Sequence, residues 1–182
     1  MSHALLVIDV QDSFMHTPFW SEADMPQYQQ RQLALIESAR CHGVPVIGIL
    51  HANPNSDTAH FRPESGLVRF MDWVPQLDEV FQKSVHNALT DSGLLAYLYE
   101  RGITHLTISG IRTEQCCETT TRVASDWGFG VNFVTEATLT FPMTHADGTV
   151  FSAEDIKKRT ELVLDGRFAQ IKTVTQMQEV WA

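Results

Sequence analysis

Residues 4–10 read "ALLVIDV": six aliphatic side chains interrupted only by the aspartate at position 9. A strand with one wet face alternates apolar and polar residues, so an unbroken aliphatic run fits a strand covered on both faces. Such strands are typical of parallel sheets flanked by helices, and the rest of the chain supplies the matching parts. "VPVIGIL" (44–50), "EVFQK" (79–83), "HLTISG" (105–110), "GVNFVTEA" (130–137) and "AQIKTVT" (169–175) read as further strands.

Helical stretches separate them. "YQQRQLALIESARCHG" (28–43) carries Leu33, Ile36 and Ala39–Arg40 at helical spacing and stops at Gly43. "TDSGLLAYLYERG" (90–102) predicts a helix capped by Thr90 or Asp91 and ended by Gly102. "TEQCCETTTRVASDWG" (113–128) predicts one capped by Thr113 or Glu114, and "SAEDIKKRTELVLDG" (152–166) opens on a Ser-x-x-Asp capping box. "MQEVWA" (177–182) gives a terminal helix. Residues 51–78 are rich in Pro, Asn and Asp, and we expect an excursion with one short helix near 65–72. Strands alternating with helices imply βαβ units. The expected fold is therefore α/β: a Rossmann-like three-layer α/β/α arrangement around a six-stranded, mainly parallel, doubly wound sheet. No repeat or linker divides residues 1–182, so one domain is expected.

Composition narrows the partners. A net charge of −9 argues against a nucleic-acid backbone or an anionic membrane surface as ligand. No apolar run approaches the ~18 residues of a membrane span, and the N-terminus lacks the basic start of a signal peptide. Three unevenly spaced cysteines do not make a disulfide framework. The expected setting is a reducing cytoplasm.

Doubly wound sheets bind ligands at the carboxyl ends of their strands. The polar residues there are Asp9, His51, Lys83 and the segment from Gly110 to Cys116. A thiol in the first turn of a helix sits near the positive end of the macrodipole, which lowers its pKa. Cys116 has that position, whereas Cys117 lies about 100° further round, on the stripe facing the sheet. Each residue also has a plain structural explanation: a buried thiol, a capping or paired aspartate, a solvated lysine. Adjacent cysteines suit neither a zinc site nor a strain-free disulfide. Gathered at one strand edge, Asp9, Lys83 and Cys116 would make a coherent set, with a carboxylate to move the thiol proton and an ammonium to stabilise thiolate and carboxylate. A dinucleotide-binding oxidoreductase is disfavoured, because no Gly-x-Gly-x-x-Gly follows the first strand.

"LLVIDVQDSF" (5–14), "KSVHNALTDSGLLAYLYERGITHLTISGI" (83–111) and "GIRTEQCCETTTRVASDWGFGVNFVTEAT" (110–138) together resemble the signature blocks of the isochorismatase-like cysteine hydrolases. That superfamily includes nicotinamidases, N-carbamoylsarcosine amidases and isochorismatases, and the resemblance runs from residue 4 to about 175. Its central pattern, Gly-x-x-Thr-[acidic]-x-Cys-x-x-x-Thr, falls on Gly110, Thr113, Glu114, Cys116 and Thr120. The resemblance implies a catalytic triad of Asp9, Lys83 and Cys116, with Cys117 at a position the family usually fills with Val. It implies a cis peptide between Ile111 and Arg112, an oxyanion hole formed by the backbone N–H groups of Arg112 and Cys116, and a thioester intermediate. It implies no redox cofactor, a small-molecule substrate, and a homodimer or homotetramer.

Two departures refine it. Nicotinamidases carry an Asp-x-His…His metal site after the second strand. Here "HANPNSDTAHF" (51–61) puts His51 and Asn53 in place of the Asp and His. The resemblance therefore implies no metal, although His51, His60 and Asp57 are donors at hand. Isochorismatases proper cleave a vinyl ether by acid catalysis and typically lack the nucleophilic cysteine, so Cys116 points to amidase-like C–N chemistry. A vinyl-ether hydrolase using Asp9 as acid, or a catalytically silent small-molecule binder, are the rival expectations. Phe14, Trp20, His51, Phe61 and Arg112 are the expected pocket wall, with Phe19 and Trp73 in the same loops. Arg112 either binds a substrate carboxylate or projects outward, and Glu136 is expected to be an anchor.

Overall fold

The computed structural model describes residues 2–182. Its centre is a six-stranded, all-parallel sheet in the order β3-β2-β1-β4-β5-β8. The strands are β1 (His3–Ile8), β2 (Val46–His51), β3 (Glu79–Lys83), β4 (His105–Ile111), β5 (Gly130–Leu139) and β8 (Gln170–Ile171). A two-residue hairpin, β6 (Met143–Thr144) with β7 (Val150–Phe151), stands apart and was not foreseen. Five helices complete the fold: α1 (Met25–Cys41), α2 (Leu94–Glu100), α3 (Glu118–Asp126), α4 (Ala153–Leu164) and α5 (Val174–Trp181). No helix among the described residues is long and apolar enough to cross a membrane.

The aliphatic run in β1 is divided between two cores by the period-two alternation of a strand. Ala4, Leu6 and Ile8 pack with Leu94 and Leu98 of α2 and Ala124 of α3. Leu5 and Val7 face the other way, against Leu35, Ile36 and Ala39 of α1 and Met177 and Trp181 of α5. That two-sided burial is why the sequence shows no polar alternation.

Several local expectations change. α1 buries Tyr28, Gln32, Leu35, Ile36 and Ala39, while Arg40 is exposed. The helix near 65–72 does not form. Two single 3₁₀ turns, Ala59–Phe61 and Pro63–Ser65, come earlier, and Phe70 instead makes a bridge with Gln11. Arg69 pairs with the buried Asp12, and the Leu67 and Arg69 carbonyls accept the Ser13 and Asp12 N–H groups, so the segment is spent on tertiary contacts. Neither Thr90 nor Asp91 caps α2, which starts after Gly93. The Asp91 carboxylate instead accepts the Ser84 N–H and hydroxyl. Ser152 with Asp155 does form the capping box of α4, and α5 opens on a second box made by Thr173 and Gln176.

The chain enters at the sheet's middle, winds out through β2 to β3, and then returns to β4 beside β1. The connections after β1 and β4 therefore leave in opposite directions and open a crevice between them. Gly110 brings the two strands close enough: at φ 124°, a Cβ placed on it would lie 2.0 Å from the Ile8 carbonyl oxygen.

Candidate active site

Asp9 follows the last residue of β1 and has φ 53°, the one non-glycine residue in the left-handed region among those described. Aspartate tolerates this conformation better than most residues. The turn keeps its N–H on the Ile49 carbonyl (2.8 Å) and leaves the side chain at the crevice. Lys83 ends β3, two strands away, and its stem reaches back across β2. Its Nζ lies 2.8 Å from Asp9 Oδ2 and 3.4 Å from Cys116 Sγ. The Asp9 and Lys83 side chains are both 0% exposed, and Cys116 is 5% exposed. Sequence positions 9, 83 and 116 thus meet at one point.

Cys116 lies in a π-helical turn, Thr113–Cys117, that leads into α3. Arg112, rather than Thr113 or Glu114, is the residue before the turn, and the Thr113 hydroxyl donates to Thr138 Oγ1 (2.8 Å). The peptide between Ile111 and Arg112 is cis, as the family resemblance implies. The N–H groups of Gln115 and Cys117, on either side of Cys116, both donate to the Arg112 carbonyl, at 3.2 and 3.3 Å. Cys117 is fully buried in the core, as expected of an aliphatic substitute.

The electrostatics reverse one expectation. Helix position alone predicts an acidified Cys116 thiol, but burial and then the Asp9 carboxylate push it up, and the Lys83 ammonium offsets only part of that rise. The resting group is a thiol. For Lys83, burial works against the charge, but the Asp9 carboxylate beside it opposes that and the net shift is upward, so the ammonium persists. Asp9 Oδ2 is held by Lys83, whereas Oδ1 is buried without a hydrogen-bond partner among the described residues.

The expected pocket residues form a chain of ring contacts leading away from Lys83. His51 Nδ1 is 3.2 Å from Lys83 Nζ. Phe61 meets His51 edge-on (5.7 Å), Phe14 meets Phe61 edge-on (5.1 Å), and Phe19 lies 6.5 Å from Phe14. The Arg112 guanidinium sits over Phe19 at 4.6 Å. Trp20 packs on Phe141 (5.4 Å) and, with Trp73, lines a cavity of about 470 Å³ whose wall includes none of Asp9, Lys83 and Cys116.

Arg112 neither projects outward nor offers a free cation. Its side chain, 8% exposed, pairs with Glu114 at 2.8 Å, and Glu114 is 9% exposed. Glu136 is an anchor: it accepts the Val174 N–H at the start of α5 and faces Arg31 at 3.6 Å. A nicotinamidase-type metal site does not fit these residues. His51 already faces Lys83, Asn53 replaces the histidine, Asp57 is exposed, and the His60 ring lies tilted against His16 (5.4 Å). No group of three or more His, Cys, Asp or Glu side chains suited to a metal occurs among the described residues.

Sequence reasoning missed Gln11. This fully buried side chain grips the backbone of His51 on both sides, accepting its N–H (2.7 Å) and donating to its carbonyl (3.0 Å). It also missed Glu118, which is buried and holds Arg122, Arg159 and Thr160. Uncharged Gln11 follows Asp9 by two residues and carries no pattern signal; only the tertiary contact exposes its role.

Comparison with known proteins agrees with the geometry. The model of the isochorismatase domain matches residues 3–166. The isochorismatase family protein YrdC of Bacillus subtilis is 29% identical over 178 residues, covering 96% of this chain and 93% of that one. Nicotinamidase 3 of Arabidopsis thaliana is 31% identical over 155 residues, covering 76% and 73%. The crystal structure of an isochorismatase-family protein from Chromobacterium violaceum superimposes with a TM-score of 0.88 at 27% identity, covering 99% of this chain and 93% of that one. With the domain match spanning both Asp9 and Cys116 and the fold shared along the whole chain, this protein belongs to the isochorismatase family.

Proposed function

We propose that this chain is a cysteine hydrolase that cleaves an amide-like C–N bond in a small molecule. One observation carries the reading: a single buried ammonium, Lys83 Nζ, lies within hydrogen-bonding reach of both the Asp9 carboxylate and the Cys116 sulfur at the sheet's switch point. The name of the Arabidopsis relative, a nicotinamidase, supports an amide as the class of substrate.

In the proposed reaction Cys116 Sγ attacks the carbonyl carbon while Asp9, through its unpartnered Oδ1, takes the thiol proton. Because burial disfavours a standing thiolate, proton removal and attack are coupled, and Lys83 stabilises the negative charge as it passes from carboxylate to sulfur. The tetrahedral oxyanion is held by the backbone N–H groups of Arg112 and Cys116. Collapse breaks the C–N bond, and the amine leaves with the proton from Asp9. Water then attacks the thioester, Asp9 accepts one of its protons, and that proton returns to sulfur as the acid is released. The sum is amide plus water giving acid plus amine, with the enzyme restored.

The test is a panel of amides, carbamoyl compounds and isochorismate, assayed with wild type and Cys116→Ala. We expect turnover of a carbonyl C–N substrate, a trapped thioester, and a loss of at least about 10³-fold in the alanine variant. Wild-type turnover of isochorismate by Cys116→Ala would instead establish acid catalysis by Asp9. Binding without hydrolysis across the panel would leave a silent binder.

A further inference from the structure

Lys83 has a third partner besides Asp9 and Cys116. His51 ends β2 and is the register partner of Lys83 in β3, so adjacent strands deliver both side chains to the same place. His51 Nδ1 lies 3.2 Å from Nζ. An ammonium can only donate, and it has three N–H bonds to place. The ring nitrogen facing it must therefore be the acceptor, which fixes His51 as the neutral tautomer with its proton on Nε2.

We propose that His51 is a positioning residue: by accepting the third hydrogen bond of Lys83 through Nδ1, it holds the ammonium between Asp9 and Cys116. The inference rests on the cysteine-hydrolase reading for its kinetic consequences, but not for the hydrogen bond itself. Without an acceptor on the β2 side, a four-carbon side chain with free rotation would be fixed by two contacts instead of three. The histidine is itself held in register, because the Gln11 amide clamps its backbone N–H and carbonyl.

The surroundings of the ring fit an uncharged acceptor. The groups facing it are the Lys83 ammonium from β3, the Asp9 carboxylate beyond β1, the His86 ring at 6.4 Å after β3, and Phe61 edge-on from its 3₁₀ turn. Burial, followed by the charge on Lys83, holds the imidazole below its ordinary range, and the opposing pull of Asp9 does not restore it. The sign follows. As pH falls through that lowered value, His51 gains a proton on Nδ1, the acceptor is lost, and two cations face each other. Positioning is thus complete at neutral pH and is lost on acidification.

Two measurements on the full chain test this. In ¹⁵N-histidine spectra near pH 7, His51 should show an unprotonated Nδ1 and a protonated Nε2, with no substrate needed. In Lys83→Met the same ring should titrate at higher pH, because the opposing ammonium is gone. On the best amide of the panel, wild-type kcat/KM should decline on an acid limb centred below pH ~6.5. His51→Ala should lower kcat at least about tenfold with KM little changed. His51→Gln, which restores an acceptor that does not titrate, should recover part of that loss and lack the acid limb. A protonated Nδ1 in the wild type, a His51→Ala kcat within about threefold of wild type, or an unchanged acid limb in His51→Gln would each overturn the proposal. If no amide is turned over, the hydrolase reading fails while the spectra still decide the role of His51.

Discussion

Replacing Lys83 with Met keeps the length and apolar stem of the side chain but removes the charge that compensates Asp9. The Asp9 carboxylate is fully buried, and its Oδ1 has no partner even in the wild type. In the variant both oxygens lack a cation. Breaking a buried pair by removing one partner costs about 3–5 kcal/mol. Protonation of Asp9 sets an independent ceiling. It costs about 1.4 kcal/mol for each pH unit above ~3.9, hence about 4 kcal/mol at pH 7 and about 1.5 at pH 5. The two routes agree at neutral pH, and the second adds a sign. A carboxyl that folds protonated binds more protons in the native than in the unfolded state, so the deficit of the variant shrinks as pH falls and grows as it rises. The assay is urea denaturation of wild type, Lys83→Met and the double variant Asp9→Asn/Lys83→Met at pH 5 and pH 7. We expect Lys83→Met to lose about 4 kcal/mol at pH 7, about 1.5 at pH 5, and the double variant to recover most of the stability with no hydrolysis. A Lys83→Met loss under 1 kcal/mol at pH 7, or one independent of pH, would refute the argument that the pair is dry and mutually compensating.

Other expectations follow from the same geometry. Gly110→Ala should fail to accumulate as folded protein or lose more than about 3 kcal/mol, read by soluble yield and thermal unfolding, because its Cβ would meet backbone 2.0 Å away. Cys117→Val should stay within about 1.5 kcal/mol of wild-type stability by denaturant titration, since the change nearly conserves volume in a closed apolar site. Iodoacetamide mapping at pH 7 should find Cys41 labelled first, as it is the exposed thiol. Cys116 should label slowly and faster as pH rises, because burial and Asp9 raise its thiol, and Cys117 should be protected. Glu114→Ala strands the Arg112 guanidinium beside the Cys116 turn. It should cost about 3 kcal/mol on unfolding, and Glu114→Gln less.

By itself the sequence determined the architecture. The aliphatic runs in β1 and β2, separated by a helical period, permit few arrangements other than a parallel sheet covered on both faces. The order Asp9, Lys83, Cys116 together with the Gly110–Thr120 pattern led to the family and to the three residues that meet. These features are local, or encoded as order along the chain, and period and order survive in one dimension. Other features depended on residues distant in sequence becoming neighbours. Gly93 displaced Thr90 and Asp91 as the start of α2 because Asp91 found Ser84. Residues 65–72 gave up a helix for bridges to the segment after β1. Arg112 was absorbed by Glu114 and Phe19. Cys116 lost its expected acidity for the same reason. The helix terminus is a local effect worth fractions of a kcal/mol to about 2, whereas burial beside a carboxylate is set by the whole fold and outweighs it. His51 shows the division most clearly. Its place at a strand end was legible in the sequence, but its partner Lys83, its tautomer and its clamp by Gln11 arise only where β1, β2 and β3 lie side by side.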